Sequence, residues 1–369
     1  MLGRLILGDR VEAGRLAVED GRIASVEPSV VPADAPYIAP GFVDVHVHGW
    51  GGHDAMGDIM ALDGMSRALL RRGVTSFLPT AVSAPLADLT EFAARVRAWI
   101  PAAPHDGADP LGFNLEGPFL SSTRRGAHDQ AFLVQPSDVE ATTLQPLLDG
   151  LRVITIAPEL PGAIELIRLL GDRGVAVSIG HSAASLEQAR AGFAAGATSA
   201  THLFNAMTGM DHRAPGVALA ALLDDEAFVE LIADGQHVNP ALWELIVRLK
   251  PAGRLLLVSD AIALAGTGDG RGFVGGLPVE VSGDRVTLAG TGTLAGSVIA
   301  LDGAVRNLVA SGVSLPVAVA AATVNPLAML GVTDRGRLEA GQRADLVELD
   351  ATLHVMRVMR TGTWLEAVG

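Results

Sequence analysis

Along residues 42–259 the chain alternates short apolar runs with longer stretches in which apolar positions recur every three or four residues. That is the pattern of strands followed by helices. The runs fall at residues 42–47, 74–79, 111–115, 153–156, 175–179, 197–202, 228–233 and 255–259. Helical periodicity lies between most of them, as at 60–72, 163–170, 185–195 and 240–249. Eight such steps suit a parallel (β/α)8 barrel of roughly 250 residues. A doubly wound open sheet is the alternative.

Both ends of the chain have a different rhythm. Residues 5–7, 15–19 and 22–26 read as short strands, the last two joined through Asp20-Gly21, a strong hairpin signal. Residues 344–349 and 355–358 are again strand-like, followed by a Thr361-Gly362 turn and a last short strand. Two small β segments thus bracket the α/β repeat. The glycine-dense stretch 265–296, after the eighth run, predicts β-hairpins over one face of the barrel.

Composition narrows the classes. With 49% hydrophobic residues among 369, a large core is assured and disorder is excluded as a description of the whole. The formal charge of −14 argues against nucleic-acid or anionic-membrane partners. There is no cysteine, so disulfides, thiolate metal sites and cysteine nucleophiles are excluded, and any metal must sit on nitrogen and oxygen. The N-terminus has no long apolar stretch ending in a small-residue cleavage site, and no apolar run reaches spanning length; a soluble cytoplasmic protein is the expectation.

Barrel chemistry collects where strands end, and these strand ends are unusually polar. The first closes with Asp44-Val45-His46-Val47-His48, the third with Asn114-Leu115-Glu116, the fifth with Gly180-His181-Ser182. The sixth closes with Thr201-His202, the seventh with Asp234-Gly235-Gln236-His237 and the eighth with Ser259-Asp260. His46 and His48, two apart, project from one face of a strand, as a metal taking two nitrogens from one strand requires. With Glu116, His181, His202 and Asp260 they make six candidate nitrogen and oxygen ligands. A hairpin-edge pair of solvated histidines is the plainer reading of His46 and His48 taken alone.

Taken in order, PGFVDVHVHG, NLEGPFL, RRGAHD, GHS, THLFNAM, HRAPG, DGQHV, VSDA and TLAGS, closing with ATVNPLAMLG and GQRADLV, resemble the N-acetylglucosamine-6-phosphate deacetylases of the amidohydrolase superfamily. The resemblance implies a small β-sandwich domain from residues 1–40 plus 335–369 and a catalytic barrel over 41–334. It implies Glu116, His181 and His202 for one metal, with His46, His48 and Asp260 for a second, so that one or two ions are held; zinc or iron suits this donor set. The carboxylated lysine that bridges metals in many amidohydrolases is unavailable, because the only lysine, Lys250, closes a helix.

The activity implied is hydrolysis of the acetamide of N-acetyl-D-glucosamine 6-phosphate by metal-activated water, with Asp260 as general base and acid and His128 polarising the carbonyl. Ala127, Asn205, Ala206, Leu294, Ala295 and Gly296 would line the substrate site. Arg213 and His237 would read the phosphate, Arg213 reaching the neighbouring subunit's site in a homodimer. The alternatives are a deacetylase of another N-acetyl amino sugar phosphate, such as the galactosamine epimer, or another amidohydrolase. Isolated His53, His105 and His354 are expected to be solvated or satisfied in the core, and Trp50 and Trp243 to be packing residues.

Overall fold

The computed structural model describes residues 1–365. Eight parallel strands run Phe42–Val47, Val74–Ala81, Phe113–Glu116, Leu151–Ile156, Ala176–Ile179, Ser199–Ala200, Phe228–Leu231 and Leu255–Leu257, each hydrogen-bonded to the next in chain order. The last meets the first through backbone bonds from Asp260 N to His46 O (2.9 Å) and from His48 N to Ala261 O (2.8 Å), which close the ring. The barrel therefore stands, and the open-sheet alternative is set aside. Apart from Arg152 in the fourth, every residue of the eight strands is buried, as expected of a parallel sheet covered by helices on its outside.

The sixth strand is shorter than its apolar run. His202 has φ 27°, so the backbone leaves the extended region before the run is finished. The helices begin where local chemistry starts them. Ser185 caps Leu186–Ala194 in a full capping box with Gln188, and Asn239 caps Pro240–Leu249, with proline in the first turn. Further helices at Leu86–Trp99 and Leu301–Ala310 fill stretches the sequence pattern left open.

Strands from both termini form one seven-stranded sheet beside the barrel. Its edge strand at Arg22–Pro28 is met by the loop ahead of Leu346–Leu349, with Ile23 N donating to Gln342 O (2.9 Å) and Gly341 N to Ile23 O (2.8 Å). Leu5, Leu16, Ile23, Ile38, Leu346 and Met359 make its own core. The Asp20-Gly21 hairpin turn forms, both residues at positive φ. Strands Gly270–Val274, Leu277–Ser282 and Arg285–Leu288 form a separate antiparallel sheet. They pack Val279, Val281 and Val286 against Val82 and Ile262, which follow the second and eighth barrel strands.

A single carboxylate pins the terminal sheet to the barrel. Asp109 accepts from Arg335 (2.5 Å), Arg343 (2.7 Å) and Arg360 (3.0 Å), three arginines of the C-terminal segment. Burial alone would raise its carboxyl, but Arg343 and Arg335 outweigh that and hold it below the ordinary carboxylate range. The stability so gained is complete above the unfolded-chain value near ~3.9 and is lost as pH falls through the lower folded value. Asp109→Asn should cost about 2 kcal/mol at pH 7, the scale of hydrogen bonds to charged groups. Urea unfolding should show the gap to wild type closing as the pH drops below about 4.

Candidate active site

Three of the strand-end residues sit in backbone that L-residues avoid: His181 at φ 46°, His202 at φ 27° and Asp260 at φ 50°. Such positions cost of order 1–3 kcal/mol each and persist only where the surroundings impose them. Here they turn each strand end so that its side chain joins a common centre. His46, His48, Glu116 and Asp260 place one donor atom each within 4.8 Å of one another, and Glu116, His181 and His202 do the same. Glu116 belongs to both groups, so the two trios expected from the sequence are joined through one carboxylate.

All of these side chains are buried. Glu116 lies 2.8 Å from His202 Nε2, 2.9 Å from His181 Nε2, 3.2 Å from both His48 and His128, and 3.6 Å from His46. Burial would raise its carboxyl, yet His46, His128 and His181 outweigh that and hold it well below the usual range. Asp260 is brought down to about 2, its hydrogen bond with His48 overcoming burial. His48 is pushed the other way, to about 9, because its bonds to Asp260 and Glu116 exceed the cost of burial. Burial takes His181 down to about 4, keeping its ring neutral at physiological pH. The centre is thus two ionised carboxylates that draw positive charge.

Outer hydrogen bonds set the tautomers. His48 Nδ1 lies 3.1 Å from Thr80 O and His181 Nδ1 2.9 Å from Arg124 O. A carbonyl only accepts, so Nδ1 carries a proton in both rings and Nε2 is the nitrogen that faces the centre, with a free lone pair in neutral His181 and a second proton shared with the carboxylates in His48. His46 Nδ1 meets Glu230 Oε2 at 3.0 Å with the same result, and its Nε2 is buried with no hydrogen-bond partner. His128 is reversed: its Nδ1 accepts from Ser83 N (3.1 Å), so in the neutral ring Nε2 is the donor. His46, His48 and His181 therefore turn Nε2 to the centre with Nδ1 engaged behind them, whereas neutral His128 turns an N–H to it. Convergent imidazoles whose Nε2 atoms face two ionised carboxylates, one of those nitrogens buried without a hydrogen-bond partner, fit a divalent transition metal, whose charge would take the place of the protons that His46 and His48 hold there.

Above the centre opens a cleft of about 360 Å³. Ala127, His128, Asn205, Ala206, His237, Leu294 and Gly296 line it. His237 Nδ1 is held by Asp234 Oδ2 at 2.7 Å, which leaves Nε2 free. Two expected residues are placed elsewhere. Ala295 is fully buried in the apolar cluster with Val82, Ile262 and Val286, because alternation along that segment turns Leu294 and Gly296 to the cleft and the alanine methyl away. Arg213 sits exposed on a loop whose turn is capped by Asp211 and does not reach the cleft of its own chain.

Beyond the residues expected from the sequence, Arg124, Thr123, Thr293, Val82, Ile262 and Val274 also line the cleft, and Glu230 lies beneath it. Arg124 had a signal in its doubled arginine before Gly126. Glu230 had one as the lone charge in the apolar run FVELIA. Trp50 and Trp243 are buried in the main core. Lys250 is buried at a helix end, its ammonium donating to Ala221 O (3.0 Å) and Asp224 O, far in role from any metal bridge. A larger cleft of about 460 Å³ lies between the terminal sheet and the barrel, and neither of the ligand clusters borders it.

The model of the amidohydrolase family matches residues 37–365. The chain belongs to that family. It is 41% identical over 362 residues to the N-acetylgalactosamine-6-phosphate deacetylase of Escherichia coli O157:H7, covering 94% of this chain and 93% of that one. It is 42% identical over 348 residues to the human N-acetylglucosamine-6-phosphate deacetylase, covering 88% and 82%. Among solved structures, a mutant N-acetyl-D-glucosamine-6-phosphate deacetylase from Mycobacterium smegmatis in complex with N-acetyl-D-glucosamine 6-phosphate superimposes with a TM-score of 0.90 at 36% identity over 98% of each chain.

A buried cation-seeking centre should gain stability from its ion. Zinc added to chelator-treated protein is expected to raise Tm, because a ligand that binds only the folded state stabilises it by mass action. His181→Asn should bind less zinc and show a smaller rise. An unchanged Tm, with no zinc retained on gel filtration, would contradict the assignment.

Proposed function

We propose that this amidohydrolase removes the acetyl group of N-acetyl-D-glucosamine 6-phosphate, giving D-glucosamine 6-phosphate and acetate. The observation that carries the reading is the pair of ligand clusters sharing Glu116 at the floor of a cleft, in a chain 42% identical to a deacetylase of that name. The similarity to an N-acetylgalactosamine-6-phosphate deacetylase, at 41%, gives the galactosamine epimer as the second reading.

Glu116, His181 and His202 would hold one ion, and His46, His48 and Asp260 with Glu116 a second, zinc or iron in either place. Bound there, divalent ions supply Lewis acidity, lowering the pKa of a water nucleophile and polarising the amide carbonyl. The chain's residues do the rest. Asp260, ionised down to about pH 2, takes the proton of the attacking water and returns it to the departing nitrogen. His128 donates from Nε2 to the carbonyl oxygen as negative charge grows on it.

An acidic chain needs a local cation to hold a phosphate dianion. His237 and Arg124 line the cleft in the same chain, and Arg213 is available to a second copy. In our reading the enzyme is a cytoplasmic homodimer in which Arg213 completes the neighbour's phosphate site. Its exposure, and its place outside the lining of its own chain's cleft, support that arrangement.

Acetate release should be measured on N-acetylglucosamine 6-phosphate, on the unphosphorylated sugar and on the galactosamine epimer. The first is expected to have the highest kcat/KM; a preference for the epimer would decide for the second reading, and no acetate from any of them would overturn both. Asp260→Asn should lower kcat at least about a hundredfold, the scale of general acid–base catalysis. If Arg213 acts across the dimer, mixing inactive Arg213→Ala and Asp260→Asn chains should restore part of the activity, since one site of each heterodimer then has both residues. Exchange of subunits without restored activity would put Arg213 outside the partner's site.

A further inference from the structure

Glu230 lies in the seventh barrel strand, and its side chain is wholly buried. A carboxylate so placed is costly unless its oxygens are matched. Both of its contacts are made by Oε2, one to His46 Nδ1 at 3.0 Å and the other to the backbone N–H of His202 at 3.1 Å. Oε1 has no partner. The barrel keeps a half-satisfied charge whose only partners belong to the two ligand clusters. Packing would be better served by leucine.

The other ligand rings show what is particular here. His48 and His181 each give their outer N–H to a neutral backbone carbonyl, at 3.1 and 2.9 Å. His46 gives its own to a carboxylate. An anionic partner fixes the tautomer and ring orientation and also makes the inward nitrogen a stronger donor to a metal. The second contact holds the N–H of His202, whose left-handed backbone needs an anchor from outside its own strand.

We propose that Glu230 is a positioning residue of the metal centre. Through one oxygen it orients His46 towards the cluster with His48, Glu116 and Asp260, strengthens that ring as a ligand, and ties this cluster to His202 of the other. The role rests on the metal centre of the proposed function and not on its substrate.

Glu230→Gln tests it, since the amide keeps the shape and one acceptor oxygen but removes the charge. Zinc affinities are read by chelator competition, and site occupancy by the absorption of cobalt-substituted protein. Affinity at the His46 cluster should fall about 10- to 100-fold while the Glu116, His181 and His202 cluster changes by less than about threefold, and excess zinc should recover most of kcat. In a His46→Gln background Glu230→Gln should cause no further loss. Unchanged affinity at both clusters, or equal loss with His46 absent, would overturn the role.

Should the variant not fold, nitrogen-15 histidine spectra of the zinc-loaded wild type decide the question. The His46 proton is expected on Nδ1 and protected from exchange; an unprotonated Nδ1 would overturn the role. Wild-type protein that binds no zinc would overturn the metal centre itself, and this role with it. Zinc binding without deacetylation would instead count only against the substrate assignment.

Discussion

Glu116 is the point on which the site turns. One buried carboxylate lies within 3.6 Å of five imidazoles brought from the first, fifth and sixth strands and from the loop of His128. A buried charge must be matched where it stands, so the strands that carry those rings have to end at the same height and turn inward. The left-handed backbone at His181, His202 and Asp260 is the local consequence. The barrel supplies the rigidity that keeps three strained strand ends in place.

Within that constraint the rings are sorted by what stands behind them. Carbonyls of Thr80 and Arg124 and the carboxylate of Glu230 hold Nδ1 of His48, His181 and His46 and turn Nε2 of each ring to the centre. The backbone N–H of Ser83 makes His128 present a proton. Four chemically identical side chains are thus turned in two ways by groups that stand behind them. Away from the centre, charged groups are matched in the ordinary way, Asp109 by arginines between barrel and terminal sheet and the lone lysine by backbone carbonyls.

The eight strands and the hairpin at Asp20-Gly21 are legible from the sequence because parallel strands buried on both faces read as unbroken apolar runs and a tight turn needs its own residues. The strand-end ligands are legible for the same reason: polar groups closing an apolar run have few places to go but the barrel mouth. The direction of the Ala295 methyl is not legible, because a residue's side in an irregular segment depends on the sheet it packs against, here the valine cluster of the hairpins.

What the chain alone determined was therefore the repeat, the barrel it builds and the donor types its strand ends carry, all of which follow from periodicity and from the chemistry of single side chains. Tertiary structure alone decided that Glu116 serves both clusters, that the ring of His128 is turned opposite to those of His46, His48 and His181, and that Glu230 stands behind His46. Those depend on contacts between residues as much as 184 positions apart. No local pattern encodes such a meeting, because hydrogen-bond direction is fixed only when both partners are in place.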